Sequence, residues 1–162
     1  MKTLLAFILF ALSSLTYVNA TDNKTIRIST KDTDLILQVG ENGRLYQTYL
    51  GEKLLHEQDL QHFQWNIHAG SDGSVSKRGW EVYSGSGNED FFEPAISITH
   101  HDGNPSTILY YVSSSDKAVE GGTETTILLR DDQYPVEVTL HYIAYPKENI
   151  IKTWSEIRHQ EK

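Results

Sequence analysis

The residues of this 162-residue chain that could do chemistry are histidines, paired acids and aromatics. His100-His101-Asp102 has the composition of a metal cluster. Adjacent residues at a strand end point to opposite faces, so one of the two imidazoles must face away. No second cluster stands at a zinc-like spacing, and a structural role in a turn is expected. His56, His62 and His68 recur six residues apart, where a loop could gather them round an ion. No Cys or carboxylate pattern accompanies them, so solvated loop histidines are expected, and neither a metal nor a cofactor is predicted. The acid pairs Glu89-Asp90 and Asp131-Asp132 invite the general acid–base chemistry that cleaves glycosidic bonds. That chemistry draws its two carboxyl groups from separate elements, roughly 5 to 10 Å apart, which sequence neighbours do not supply. Asp131-Asp132 reads instead as turn chemistry. Ser113-Ser114-Ser115 has no G-x-S-x-G context for a nucleophile. Gly85-Ser86-Gly87 opens no helix and so makes no phosphate loop. No residue is predicted to be catalytic.

Aromatic side chains are the stronger signal. Trp65, Trp80, Trp154 and nine Tyr are many for a chain this size. Sugar rings stack on exposed aromatic faces, and Tyr and Trp carry a polar tip for hydroxyls. Trp154, Tyr142 and Tyr110 fall in apolar runs and are expected to fill a core. Trp65 and Trp80 flank a long connection and are the candidates for an exposed sugar platform.

The elements that must position these residues are strands. Ile26 and Ile28 alternate with polar neighbours, and Leu35–Val39 follows. Gly40-Glu41-Asn42-Gly43 leads into Arg44–Leu50, and Asn-Gly between two such runs is a strong hairpin signal. His56 to Gly79 lacks a period and reads as a long connection, with one short strand around Phe63–Trp65. Trp80–Tyr83 reads as a strand and Ser84–Asn88 as a turn. The clearest strands are Ala95–Thr99, Thr107–Val112, Glu124–Arg130, Val136–Tyr145 and Ile150–Arg158. Val, Ile, Thr and Tyr dominate them, as a half-buried pleated surface favours. His101–Pro105, Asp131–Gln133 and Pro146–Asn149 are the turns between them. Short antiparallel strands with turn signals and no helical stripe predict an all-β fold, a sandwich rather than a barrel.

The N-terminus has the plan of an export signal. Lys2 supplies a positive charge, Leu4 to Leu15 is an apolar run too short to span a bilayer, and Val18-Asn19-Ala20 suits cleavage after Ala20. An uncleaved anchor is the alternative. The expected division is residues 1–20 as signal peptide and 21–162 as one β-sandwich domain, in the periplasm or outside the cell. With no Cys, the domain must rely on its hydrophobic core rather than on disulfides. About 140 residues can bury roughly two-thirds of their surface. The net charge is −8, and −9 once Lys2 is removed. An acidic chain without a basic run argues against nucleic acid and against an anionic membrane surface as partners.

Three stretches carry a family resemblance. One is Asn42-Gly43-Arg44-Leu45 with Tyr46 to Leu54. Another is Asp90-Phe91-Phe92-Glu93-Pro94-Ala95-Ile96, leading to Thr99-His100-His101-Asp102-Gly103-Asn104. The third is Tyr134-Pro135-Val136, Leu140-His141-Tyr142 and Ile150–Ile157. In order and spacing they resemble the N-terminal β-sandwich domain of family 36 glycoside hydrolases, the bacterial α-galactosidases, from roughly Ile26 to the end. The resemblance implies an antiparallel β-sandwich of the supersandwich type. In the family a (β/α)8 barrel follows and carries the catalytic aspartates, one in a K-W-D type motif. Trp154-Ser155-Glu156 is not that motif, and the Cys-containing acid/base stretch is absent. The resemblance therefore implies retaining hydrolysis of terminal α-galactosides by a full-length relative, and none by these residues alone.

The family's N-terminal domain can also border the sugar pocket, in some tetrameric members across a subunit interface, which would make this chain a homo-oligomer. Asp90 matches the family's D-F-R-x-P segment. The arginine of that segment is Phe92 here, which cannot donate a hydrogen bond to a hydroxyl. Asp59, Trp65, Trp80 and Asp90 are the candidates for contact with sugar. The leading expectation is the front of an exported α-galactosidase, with carbohydrate reached through a missing or separate catalytic domain. The alternatives are a free-standing carbohydrate-binding sandwich and the product of a truncated gene. An exposed apolar sheet face near Ile150–Ile157 would favour truncation.

Overall fold

The structure, a computed structural model, describes residues 24–63, 80–87 and 93–160. Strands β1 (Thr25–Ser29), β2 (Thr33–Val39), β3 (Leu45–Glu52) and β4 (Trp80–Glu81) form one antiparallel sheet in that order. Strands β5 (Leu109–Val119), β6 (Gly122–Asp131), β7 (Val136–Tyr145) and β8 (Ile150–His159) form a second antiparallel sheet, also in chain order. Ile26, Ile28, Leu35, Leu37 and Leu45 of the first sheet share one core with residues of the second, among them Leu109, Ile127, Leu129, Val138 and Leu140. The fold is the expected all-β sandwich. Full burial of each such side chain contributes about 1.5–3 kcal/mol.

Alternation explains which face each strand buries. In β7, Val136, Val138, Leu140, Tyr142 and Ala144 point inward, and the residues between them are half-exposed. A one-residue slip would exchange these sets, so the core pins the register of β7 against β6 and β8. Strand β2 differs, because Asp34 to Gln38 are buried without a break. Its outward Asp34 accepts hydrogen bonds from Arg27 Nη2 at 2.6 Å, Ser29 Oγ at 2.5 Å and the Leu54 N–H at 2.8 Å. Burial alone would raise this carboxyl, but those bonds and the Arg27 charge outweigh it and hold the pKa below its ordinary value.

Two turns share one geometry. The Gly43 N–H donates to the Gly40 carbonyl, and the Gly40 N–H to the Arg44 carbonyl. The Gly103 N–H and the His100 N–H do the same with His100 and Asn104. Both glycines have positive φ, of 76° and 86°. This is a tight turn closed by a left-handed glycine. Only Gly43 of the Asn-Gly pair takes the left-handed conformation. Asn42 instead accepts a side-chain hydrogen bond from the Arg44 N–H, as Asp102 does from Asn104.

Several expectations need correction. Ala95–Thr99 is not a strand, for its only ladder contact among the described residues is an isolated parallel bridge from Ile96 to Gly85. Ile96 and Ile98 turn into the core between exposed neighbours, so one-sided packing produced the alternation without a partner strand. Strand β5 runs seven residues past the expected Val112. A register shift at Val112 lets Ser113–Val119 continue pairing with β6, although they are too polar to announce a strand. Phe63 ends a 3₁₀ helix, Glu57–Phe63, and the rest of the short strand expected around Phe63–Trp65 lies outside the described residues. Only Trp80–Glu81 of the expected Trp80–Tyr83 strand pairs with β3.

Candidate functional site

The two sheets diverge beside β8 and leave an open cleft of about 660 Å³. Leu35, Leu140 and Tyr142 line it with apolar surface, while Gln47, Asn149 and Thr153 supply hydrogen-bonding groups. Burial pushes the Tyr142 phenol up to about 12, so it stays a neutral hydroxyl at ordinary pH. Asn149, in the β7–β8 turn, has a φ of 55°, a conformation that Asn tolerates better than most residues. Its side-chain oxygen accepts from the Thr30 hydroxyl and from the Asp32 N–H, and so ties the β1–β2 turn to the second sheet. Glu81 is the one carboxylate among the described residues lining the cleft, and Arg44 grips both its oxygens. A cleft of this kind can hold hydroxyls and apolar ring faces. Among the described residues it has no second acid with which to cleave a glycosidic bond.

A second cluster lies on the outer face of the β5–β8 sheet. His141 and Trp154 are directly opposite on β7 and β8, with ring centroids 4.5 Å apart and planes within 5°. His141 Nδ1 lies 2.9 Å from Glu124 of β6. Its buried Nε2 lies 3.8 Å from Glu156, beyond hydrogen-bonding distance. The Lys152 amine sits 5.3 Å from the Trp154 ring centroid. Trp154 is therefore not in the core, as its apolar run suggested. Its odd–even position on β8 sends it to the opposite face from Ile151 and Ile157. Tyr110 also lies outside the core, with its ring beside Gly43, whereas Tyr142 is inside.

The histidines and acids singled out in the sequence have structural surroundings. His100 is buried, stacked on Tyr134 with centroids 3.5 Å apart, and its Nε2 meets Ser106 and Thr107 oxygens at 3.1 Å. His101 is exposed on the other side of the turn. Asp131 accepts from the Gln133 and Tyr134 N–H groups and from the Ile108 N–H, closing the β6–β7 turn onto the start of β5. Ser113–Ser115 are ladder residues of β5. A side chain on Gly85 would collide with the Thr107 carbonyl, so Gly85-Ser86 is a packing device. Among the described residues no group of histidines, cysteines and acids could hold a metal ion.

The four residues predicted to touch sugar are not gathered into one described site. Asp59 is half-buried in the 3₁₀ helix, its N–H donated to the His56 carbonyl, and it does not line the cleft. Trp80 stands in β4 opposite Gln47, which does line it. Trp65 and Asp90 lie outside the described residues, as do Glu89 and His68. The cleft's Gln47 and Asn149, and the outer Glu124–His141–Trp154 cluster, had no sequence signal of their own. Alternation puts His141 outside, but nothing in the sequence says which strands flank it.

The fold and the cleft define a class: an antiparallel β-sandwich domain with a polar-rimmed groove lined by a single acid among its described residues. The model of the glycosyl hydrolase family 36 N-terminal domain matches residues 43–162, and the chain belongs to that family. Three solved structures show the same fold. The α-galactosidase from Lactobacillus brevis superposes with a TM-score of 0.67 at 19% identity, over 85% of this chain and 22% of that one. A family 36 α-galactosidase variant from Geobacillus stearothermophilus in complex with raffinose gives 0.67 at 21%, over 85% and 22%. A further family 36 α-galactosidase from Geobacillus stearothermophilus gives 0.66 at 20%, over 87% and 22%. The chain thus spans about a fifth of the length of the enzymes it resembles. No curated protein matches it.

Proposed function

We propose that this chain is the N-terminal part of an exported α-galactosidase, and that the catalytic acids of the enzyme lie outside these residues. The carrying observation is the pairing of a family match over 43–162 with coverage of only 22% of each related enzyme. The substrate class is a terminal α-D-galactoside such as raffinose, which one of these related enzymes holds. Export rests on the apolar run Leu4–Leu15 and the cleavage signal ending at Ala20. In this reading Asp59, Trp65, Trp80 and Asp90 border sugar delivered to the catalytic part, and no step of hydrolysis is assigned to them. The purified 162-residue chain is expected to release no galactose from raffinose, and turnover by it would overturn the proposal. The reading frame past the Lys162 codon is expected to continue into a barrel with an aspartate nucleophile.

The open cleft between the sheets favours a second reading, a sandwich that binds carbohydrate without cleaving it. Titration of the chain with galactose and raffinose separates the two readings. Trp65→Ala is expected to weaken any binding found, and unchanged affinity would remove Trp65 from the sugar site.

A further inference from the structure

The imidazole of His141 has one satisfied nitrogen and one orphan. Nδ1 lies 2.9 Å from a Glu124 carboxylate oxygen. An ionised carboxylate only accepts, so Nδ1 carries the proton of the neutral ring. Nε2 is then a bare acceptor, buried, and it meets no donor among the described residues. Described atoms already enclose it, so its lack of a partner does not depend on what flanks β8. An enclosed acceptor without a donor is destabilising. A second proton would turn that nitrogen into a donor. Glu156 of β8 is the group placed to receive it, with a carboxylate oxygen 3.8 Å away. The Glu156 side chain is 70% exposed, so a shift of about 1 Å brings it within hydrogen-bonding distance without moving the core.

The strand register sets the other surroundings. His141 stands opposite Thr126 on β6 and Trp154 on β8. The indole stacks on the imidazole at 4.5 Å, and an indole face accepts a cation as readily as a neutral ring. Lys117 of β5 stands opposite Glu124, and the Lys152 amine of β8 lies 5.3 Å from the indole centroid. Glu137 and Arg158 face each other two rows further along the sheet. The charged groups within 4 Å of the ring nitrogens, Glu124 and Glu156, are both negative, whereas the lysines face Glu124 and Trp154.

We infer that Glu124, His141 and Glu156 form a proton-operated clamp across β6, β7 and β8. With a neutral imidazole, His141 ties only β7 to β6. With a proton on Nε2, Glu156 closes onto the ring and β8 is tied as well. Strand β8 supplies Ile151 and Thr153 to the cleft, so the proton fixes that wall of the groove. The clamp contributes stability while the imidazole is charged. It loses that contribution as pH rises through the imidazole range, ordinarily about 6.5.

The test is a double-mutant cycle of His141→Gln and Glu156→Gln, read by urea unfolding at pH 5 and at pH 8. Gln at 141 keeps an N–H for Glu124 and does not titrate. Glu156 is exposed, so its substitution leaves the core intact. At pH 5 the two substitutions are expected to be coupled by about threefold in the unfolding constant. At pH 8 the coupling is expected to vanish. Coupling of equal size at both pH values overturns the clamp, because contact rather than charge then joins the two residues. Absence of coupling at pH 5 overturns it too, and leaves Glu156 a solvated side chain. If the His141→Gln chain does not fold, amide exchange decides instead, with β8 protection compared with that of β6 in wild type and in Glu156→Gln. A gain in β8 protection at pH 5 confined to wild type supports the clamp, and any other pattern overturns it.

Discussion

Strands β2 and β8 carry similar apolar residues and have opposite fates. Asp34 to Gln38 of β2 are all buried, with Ile36 and Leu37 at 0% exposure, while Ile150 and Ile157 of β8 are 54% exposed. Strand β2 lies between β1 and β3 and is covered on both faces. Among the described residues strand β8 stands at the edge of its sheet and borders the open cleft. Position in the sheet, not apolar content, sets what each residue contributes. The buried strand supplies stability and the exposed one supplies surface.

The sharpest way to break this contrast is in β2. Ile36→Ala should destabilise the chain by about 3–4 kcal/mol, through lost transfer energy and the cavity left behind. Urea unfolding measures it. Asp34→Ala should cost about 3 kcal/mol, because it strands the Arg27 guanidinium against a buried site. Asp34 also gives β2 an acid dependence. Its depressed pKa makes its contribution fully present above the ordinary value of 3.8 and lost as pH falls through the folded pKa below that. Unfolding followed from pH 5 downward should show a steeper loss in wild type than in Asp34→Asn.

Tyr142 works at the other end of the pH scale. Its pKa is raised by burial from 10.0 to about 12. Stability that is full below pH 10 should decline as pH rises from there to about 12, since the unfolded state releases the phenolic proton first. Tyr142→Phe should remove that alkaline decline, as thermal melts across the range would record. In β8 the effects shrink. Trp154→Ala should cost about 1 kcal/mol, the value of an aromatic stack, here on His141. Ile157→Ser should change monomer stability by less than about 0.5 kcal/mol. A loss above about 2 kcal/mol at Ile157 would mean that the edge is covered in the folded chain, and the contrast with β2 would fail.

The gap between sequence and structure follows the same division. Val136–Tyr145 was readable to the residue, because a strand with one face in the core must alternate. The turns at Gly43 and Gly103 were readable because a left-handed position selects glycine. Ala95–Thr99 misled, since alternation reports one-sided burial and not pairing. The length of β5 was hidden, since its serines are held by cross-strand bonds rather than by apolar packing. The candidate sugar contacts have no period to place them: Asp59 is in a 3₁₀ helix and does not line the cleft, whose Gln47 and Asn149 come from turns and strands far apart in the chain.

The sequence by itself determined the all-β class, most strand positions, the turn chemistry and, through the order and spacing of three stretches, the resemblance to family 36. These depend on period and local conformation, which neighbouring residues set. Only the tertiary structure decided which strands are edges, where the sheets part to leave a cleft, and that Trp154 stacks on His141 outside the core. Those depend on long-range strand pairing and on how the two sheets pack, and a linear pattern of apolar and polar residues does not encode either.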